Sequence, residues 1–216
     1  VTANVYEVDI SGFWINRYKF RATVDDLEPK PVPHTPESRA IYEARVFGDD
    51  HVLRCIAPGL PRIFGSPYPM EVLDGGTHYF MLFLQGNSPR WVWMDDRSAP
   101  DNHPLTSMGF SVGHWEERTL VIETTRLSPG WLDGSGYPMT GGDQTRIVER
   151  WAVAENGLTI DRTMTVHDVL YTEPLIRTRG SVRAEAADGL LESPSCDPNG
   201  HYRDLFERGL LEKELY

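Results

Sequence analysis

The sequence predicts an all-β protein, an antiparallel up-and-down β-barrel carrying two helices, and three observations predict it. First, residues 145–153 and 158–166 alternate apolar and polar side chains on either side of Asn156-Gly157. That is the strongest short-range hairpin signal, because a type I′ turn needs positive φ at both central residues. Second, further short runs of strand-like residues recur along the chain with Gly, Pro, Asn and Asp between them, as in sandwiches and barrels. Third, the connections between these runs are nearly all local, which favours strands laid down in order around a barrel. No repeat or linker interrupts the 216 residues, so the reading is one domain.

Residues 5–23 read as a first strand with an irregular centre. Residues 35–48 read as a short helix: Thr35 caps it, Pro36 takes the first helical position and Glu37 lies in the first turn. Residues 54–70 hold four prolines between Pro58 and Pro69 and cannot form a central strand. They are a rigid lid over a barrel mouth or a plain loop. Strands follow at 78–85, 90–95, 109–115 and 119–125, the last two turning at Glu117-Arg118. A Gly/Pro loop spans 127–142, the central hairpin 144–168, and a final strand 174–184. Residues 201–215 read as an amphipathic helix with Leu205, Phe206, Leu210 and Leu211 as its stripe, a surface on which a homodimer could form.

Composition narrows the function. A net charge of −11 argues against nucleic acid, whose phosphates call for a basic surface, and against docking on anionic lipid. No run approaches the roughly 18 apolar residues of a membrane span. Cys55 and Cys196 have no metal-ligand spacing around them. They are two buried thiols or a disulfide closing a very long loop, which the chain-entropy model values at roughly 4–5 kcal/mol. Both lie in irregular, Pro-rich stretches with little else to anchor them, which inclines the reading to a bridge and to a periplasmic or secreted protein. The start at Val1, without Met, agrees with removal of a leader.

The central hairpin also directs attention to chemistry. A two-residue loop pairs Val153 with Ile160, Trp151 with Arg162, Glu149 with Met164 and Ile147 with Val166. The apolar members mark this as the buried face, so Glu149 and Arg162 become diagonal neighbours inside the barrel. Buried charges are costly unless paired, so the two form a structural clasp or the polar floor of a ligand cavity. In the preceding hairpin the same reasoning sets His114 diagonal to Glu123, a candidate general base with a carboxylate beside it. Trp91, Trp93, Phe110, Trp131, Trp151, Tyr68 and Tyr171 supply an aromatic lining. Asp133 reads as a turn cap, His167 as a rim residue, His34 and His103 as surface residues. No nucleophile elbow, Walker loop, dinucleotide fingerprint or zinc-protease motif is present.

Two resemblances add to this. Ser11-Gly12-Phe13-Trp14 resembles the Gly-x-Trp signature of lipocalin-like barrels, in which the Trp plugs one end. Residues 108–125, Met-Gly-Phe-Ser-Val-Gly-His-Trp-Glu-Glu-Arg-Thr-Leu-Val-Ile-Glu-Thr-Thr, resemble a family of exported, largely uncharacterised bacterial proteins whose wording there is Met-Gly-His-Ser-Val-Gly-x-Trp-Glu-Gly-Asp-Thr-Leu-Val-Val. The likeness extends to 54–69, to Trp131-Leu132-Asp133, to Val148-Glu149-Arg150 and to Tyr171-Thr172. It implies export and a shared β architecture without bringing an activity. Phe110 stands where the family usually has His, and Pro138-Met139-Thr140 replaces Pro-His-Ser.

The expectation that follows is a cofactor-independent lyase, isomerase or cyclase acting on a small hydrophobic, aromatic or carbonyl-bearing molecule inside the barrel. Glu149 or His114 would move a proton and Arg162 would hold an oxyanion. The alternative is a carrier of the same fold that binds without turnover.

Overall fold

The computed structural model describes residues 8–17, 32–46, 48, 50–185 and 196–210. Its strands in chain order are β1 (Gly12–Arg17), β2 (Met70–Asp74), β3 (His78–Phe83), β4 (Ser88–Trp93), β5 (Phe110–Glu116), β6 (Thr119–Thr125), β7 (Gly130–Trp131), β8 (Pro138–Met139), β9 (Thr145–Val153), β10 (Thr159–Asp168) and β11 (Leu175–Ala184). β7 and β8 pair only with each other, inside the stretch read as a long loop. The other nine close into a barrel in the order β1-β11-β10-β9-β6-β5-β4-β3-β2. The all-β barrel expectation holds.

One seam departs from the antiparallel pattern, and parity requires it. Strand direction alternates along a meander, so nine strands cannot close without one parallel pair. That pair is β4 with β5, joined through Val92 beside Ser111 and Trp93 beside Val112. Parallel neighbours need a long crossover, and the connection from Met94 to Gly109 provides it. Gly109 ends it at φ 64°, where an added Cβ would lie 2.5 Å from the Thr125 carbonyl oxygen.

The central hairpin keeps the expected register, with Val153 opposite Ile160, Glu149 opposite Met164 and Ile147 opposite Val166. Its turn differs. Gly157 alone of the Asn-Gly pair has positive φ, and its N–H donates to the Ala154 carbonyl at 2.9 Å. The turn therefore closes on one left-handed glycine, and the type I′ expectation is corrected. β2 was hidden at the end of the proline-rich stretch, where five residues with two acids give little alternation. β1 begins at Gly12, and most of the remainder of the 5–23 expectation lies outside the described residues.

Side chains fill the barrel interior. Trp14, Met81, Leu120, Ile122, Ile147, Trp151, Ile160 and Met164 are all essentially without solvent contact. Trp14 donates to the Ile10 carbonyl at 2.8 Å, and the Arg183 guanidinium covers its ring at 4.6 Å. A gap of about 10 Å³ between Trp14, Tyr68, Phe83 and Arg162 is no larger than one water. The interior is a packed core.

Helix α1 (Pro36–Ala44) starts as expected, the Thr35 hydroxyl accepting from Ser38 N–H at 3.1 Å. The proline-rich stretch packs against the barrel and carries a short 3₁₀ turn at Arg62–Gly65. Its Leu60, Ile63 and Phe64 are buried in the core, and Arg62 makes a two-pronged ion pair with Asp50 at 2.7 and 3.0 Å. Helix α2 (Pro198–Glu207) covers only part of the expected 201–215, with Leu205 buried, Phe206 exposed and Leu211 outside the described residues. Cys55 and Cys196 form a disulfide, Cα to Cα 5.7 Å, which fastens the start of α2 to the short 3₁₀ turn His51–Arg54.

Candidate functional site

The polar spot expected inside the barrel exists, but its pairing differs. Glu149 points inward from β9 and is fully buried; its partner is Arg90 of β4, whose Nη2 lies 2.6 Å from Oε1. The second carboxylate oxygen accepts from the Trp151 indole at 3.0 Å. Arg90 also donates from Nε to Ser111 Oγ at 3.0 Å and from Nη2 to Thr124 Oγ1 at 2.8 Å. Its Nη1 is buried without a hydrogen-bond partner among the described residues. Arg162 points inward as expected, yet it lies over the faces of Phe64 and Trp151, at 4.6 and 5.2 Å, and donates to Asn16 Oδ1. The Glu149–Arg162 clasp is thus corrected to Glu149–Arg90. Strand register fixes neighbours on adjacent strands, whereas Arg90 arrives from β4, with β5 and β6 standing between it and β9.

His114 and Glu123 pair with the residues expected, Val121 and Val112, but they sit on the outer wall. Ser111, Gly113, Leu120, Ile122 and Thr124 take the buried positions instead. Outside, His114 approaches Glu116 at 3.4 Å, Glu116 binds Arg150 at 2.6 Å and Glu123 binds Arg146 at 2.8 Å, all about half exposed. This is a solvated charge ladder.

The aromatic candidates divide. Trp151 belongs to the core. Tyr171 is buried, its hydroxyl donating to the Pro138 carbonyl at 2.6 Å, and burial pushes its phenol well above the ordinary range. Its ring meets His34, which also packs on Tyr42 and Tyr137, so this cluster seats α1 on the barrel. Trp131 lies in the β7–β8 hairpin, and Tyr68 beside the small gap near Trp14. Only Trp91, Trp93 and Phe110 come together, and they do so outside the barrel.

There they line a lateral cleft of about 630 Å³ at the β4–β5 seam. Trp91, Trp93 and Phe110 come from the outer faces of the two strands, while Ser88, Arg90 and Ser111 come from the inner faces. Both faces of one strand can border one cleft only where the wall is incomplete, and β4 and β5 share just two paired positions. The crossover supplies the far side through Arg97, His103 and Met108. Arg97 stacks on Trp93 at 3.8 Å and reaches Asp95, and His103 meets Phe110 edge-on at 5.1 Å. His103 Nδ1 lies 2.8 Å from the Pro104 carbonyl. A carbonyl can only accept, so Nδ1 carries the proton and a neutral ring has its lone pair on Nε2.

Arg90, Arg97 and His103 are the site residues that sequence reasoning passed over. The available signal was the alternation Ser88-Arg90-Val92, which supplies the cation that a buried Glu149 demands. No protein-family model matches the chain, and no curated protein matches it. A closed β-barrel with a lateral, aromatic-walled cleft is therefore the class that fold and site define.

Proposed function

We propose that this protein binds a small hydrophobic, aromatic molecule in the lateral cleft at the β4–β5 seam, as a binding or carrier barrel. The observation that carries the reading is the cleft itself: its volume of about 630 Å³ lies within the roughly 300–1,000 Å³ of small-molecule sites, and Trp91, Trp93 and Phe110 are among its lining. Trp91 is 46% exposed, unusual for so large an apolar side chain on a sheet face, and it stands against Phe80 at 5.1 Å. Because side chains fill the barrel interior, the proposal sets the ligand at the wall rather than inside it.

A second reading, acid–base catalysis by a lyase, isomerase or cyclase without a cofactor, is favoured by His103, whose Nε2 is the basic nitrogen of a residue lining the cleft. Glu149, wholly committed to Arg90 and Trp151, is a poor proton carrier in comparison. The two readings separate in one experiment. An aromatic metabolite library is titrated against tryptophan fluorescence while absorbance and mass follow turnover. Saturable quenching that Trp91→Ala weakens, with no product formed, supports the carrier; turnover abolished by His103→Ala supports the enzyme. Quenching unchanged in Trp91→Ala and Phe110→Ala would remove the cleft as the site.

Export is part of the proposal. The Cys55–Cys196 bridge is at home in the periplasm or outside the cell, in keeping with the resemblance to exported bacterial proteins at 108–125. Expression with a leader, followed by thiol labelling of each compartment, tests it: free thiols in an exported sample would contradict it.

A further inference from the structure

We infer that the cleft selects an aromatic carboxylate, whose anionic group is received by Arg90. The inference rests on the binding reading above and specifies its ligand. Among the described residues no Asp or Glu lines the cleft, whereas Arg90, Arg97 and His103 do, the two arginines each paired with a carboxylate just outside the lining, Glu149 and Asp95.

Arg90 offers a ligand a point of attachment. It is 1% exposed and lines the cleft floor, with Nε held by Ser111 and Nη2 by Thr124 and Glu149. These bonds leave Nη1 as the one nitrogen of the fork without a partner among the described residues. An unsatisfied N–H on a buried guanidinium is costly, and a carboxylate is the group that best satisfies it. Glu149 already balances one charge on Arg90, so the guanidinium stays oriented in the empty protein and pays little ordering entropy on binding. The rings of Trp91, Trp93 and Phe110 then face the ligand's apolar body. An aromatic hydrocarbon would meet the same walls and leave Nη1 unserved, and an amide carbonyl would serve it with a weaker acceptor than a carboxylate.

The probes are 2-naphthoate, 2-naphthamide and naphthalene, titrated against the full chain by calorimetry at low and moderate salt. The acid should bind about tenfold to a hundredfold more tightly than the amide, the range expected of one hydrogen bond to a charged group. The double variant Arg90→Met, Glu149→Leu removes the buried pair without stranding either charge. It should bind acid and amide alike, while Trp91→Ala weakens all three probes together. Should the double variant not fold, the Arg90 guanidinium resonances of ¹⁵N-labelled wild-type protein read the same contact, moving with the acid and not with the amide. Equal affinity for acid and amide would overturn the carboxylate while keeping the cleft. A preference that survives in the double variant, or Arg90 resonances unmoved at saturation, would overturn Arg90. Absence of binding by all three would overturn both the inference and the reading beneath it.

Discussion

Arg90 and Glu149 meet inside the barrel at 2.6 Å with side-chain exposures of 1% and 0%, on strands that are not neighbours in the sheet. Removing either partner strands a charge in the core, which typically destabilises by several kcal/mol, whereas replacing both with apolar groups is often neutral. Glu149→Gln should therefore destabilise the fold by about 3 kcal/mol in urea denaturation, and Arg90→Met with Glu149→Leu should recover most of that loss. A single variant as stable as wild type would show that the pair is not what neutralises Arg90.

The Asp50–Arg62 pair makes stability depend on pH. Burial alone would raise the Asp50 carboxyl, but hydrogen bonds from Arg62 and the Val52 N–H outweigh it and hold the group below the usual carboxylate range. A depressed value in the folded state contributes stability at neutral pH that is lost as pH falls through that value. Asp50→Asn should be about 3 kcal/mol less stable than wild type at pH 7, and the gap should narrow below about pH 4. Denaturation curves at pH 7 and pH 3 decide this, and an equal gap at both would contradict it.

The disulfide fastens α2, whose buried contact is Leu205, to the 3₁₀ turn at His51. Replacing both cysteines with serine should lower stability by about 2–4 kcal/mol. Trypsin should then cleave faster at Arg203 and Arg208, while the circular dichroism of the barrel persists. Cleavage at an unchanged rate would mean that packing alone holds the helix.

On the outer wall, His114 contacts Glu116 and Glu123 pairs with Arg146, all of them half-exposed. Such pairs contribute little, so His114→Ala and Glu123→Gln should each change stability by no more than about 0.5 kcal/mol. Ligand affinity should stay at the wild-type value. A large loss of binding in either variant would place the site on this face rather than at the seam.

Much of this architecture was legible residue by residue. Period-two alternation located β9 and β10, strand-like runs between turn residues located β3 to β6 and β11, and the Asn156-Gly157 turn fixed a register that carried Glu149 and Arg162 inward, because a local loop dictates which residues oppose each other. Thr35-Pro36 marked the start of α1, since capping is decided within a few residues. What stayed hidden was whatever depends on the whole cylinder. The parallel seam follows from the number of strands, which no single segment contains. The choice between Arg90 and Arg162 as partner of Glu149 depends on curvature that brings β4 near β9. Whether Trp91 and Trp93 face the core or a cleft depends on a sixteen-residue crossover that folds back over the outer wall. Sequence determined most of the strands and the pairing within the β5–β6 and β9–β10 hairpins because those are nearest-neighbour properties of the chain; closure of the barrel decided the remaining partners and the site because it joins residues no local pattern connects.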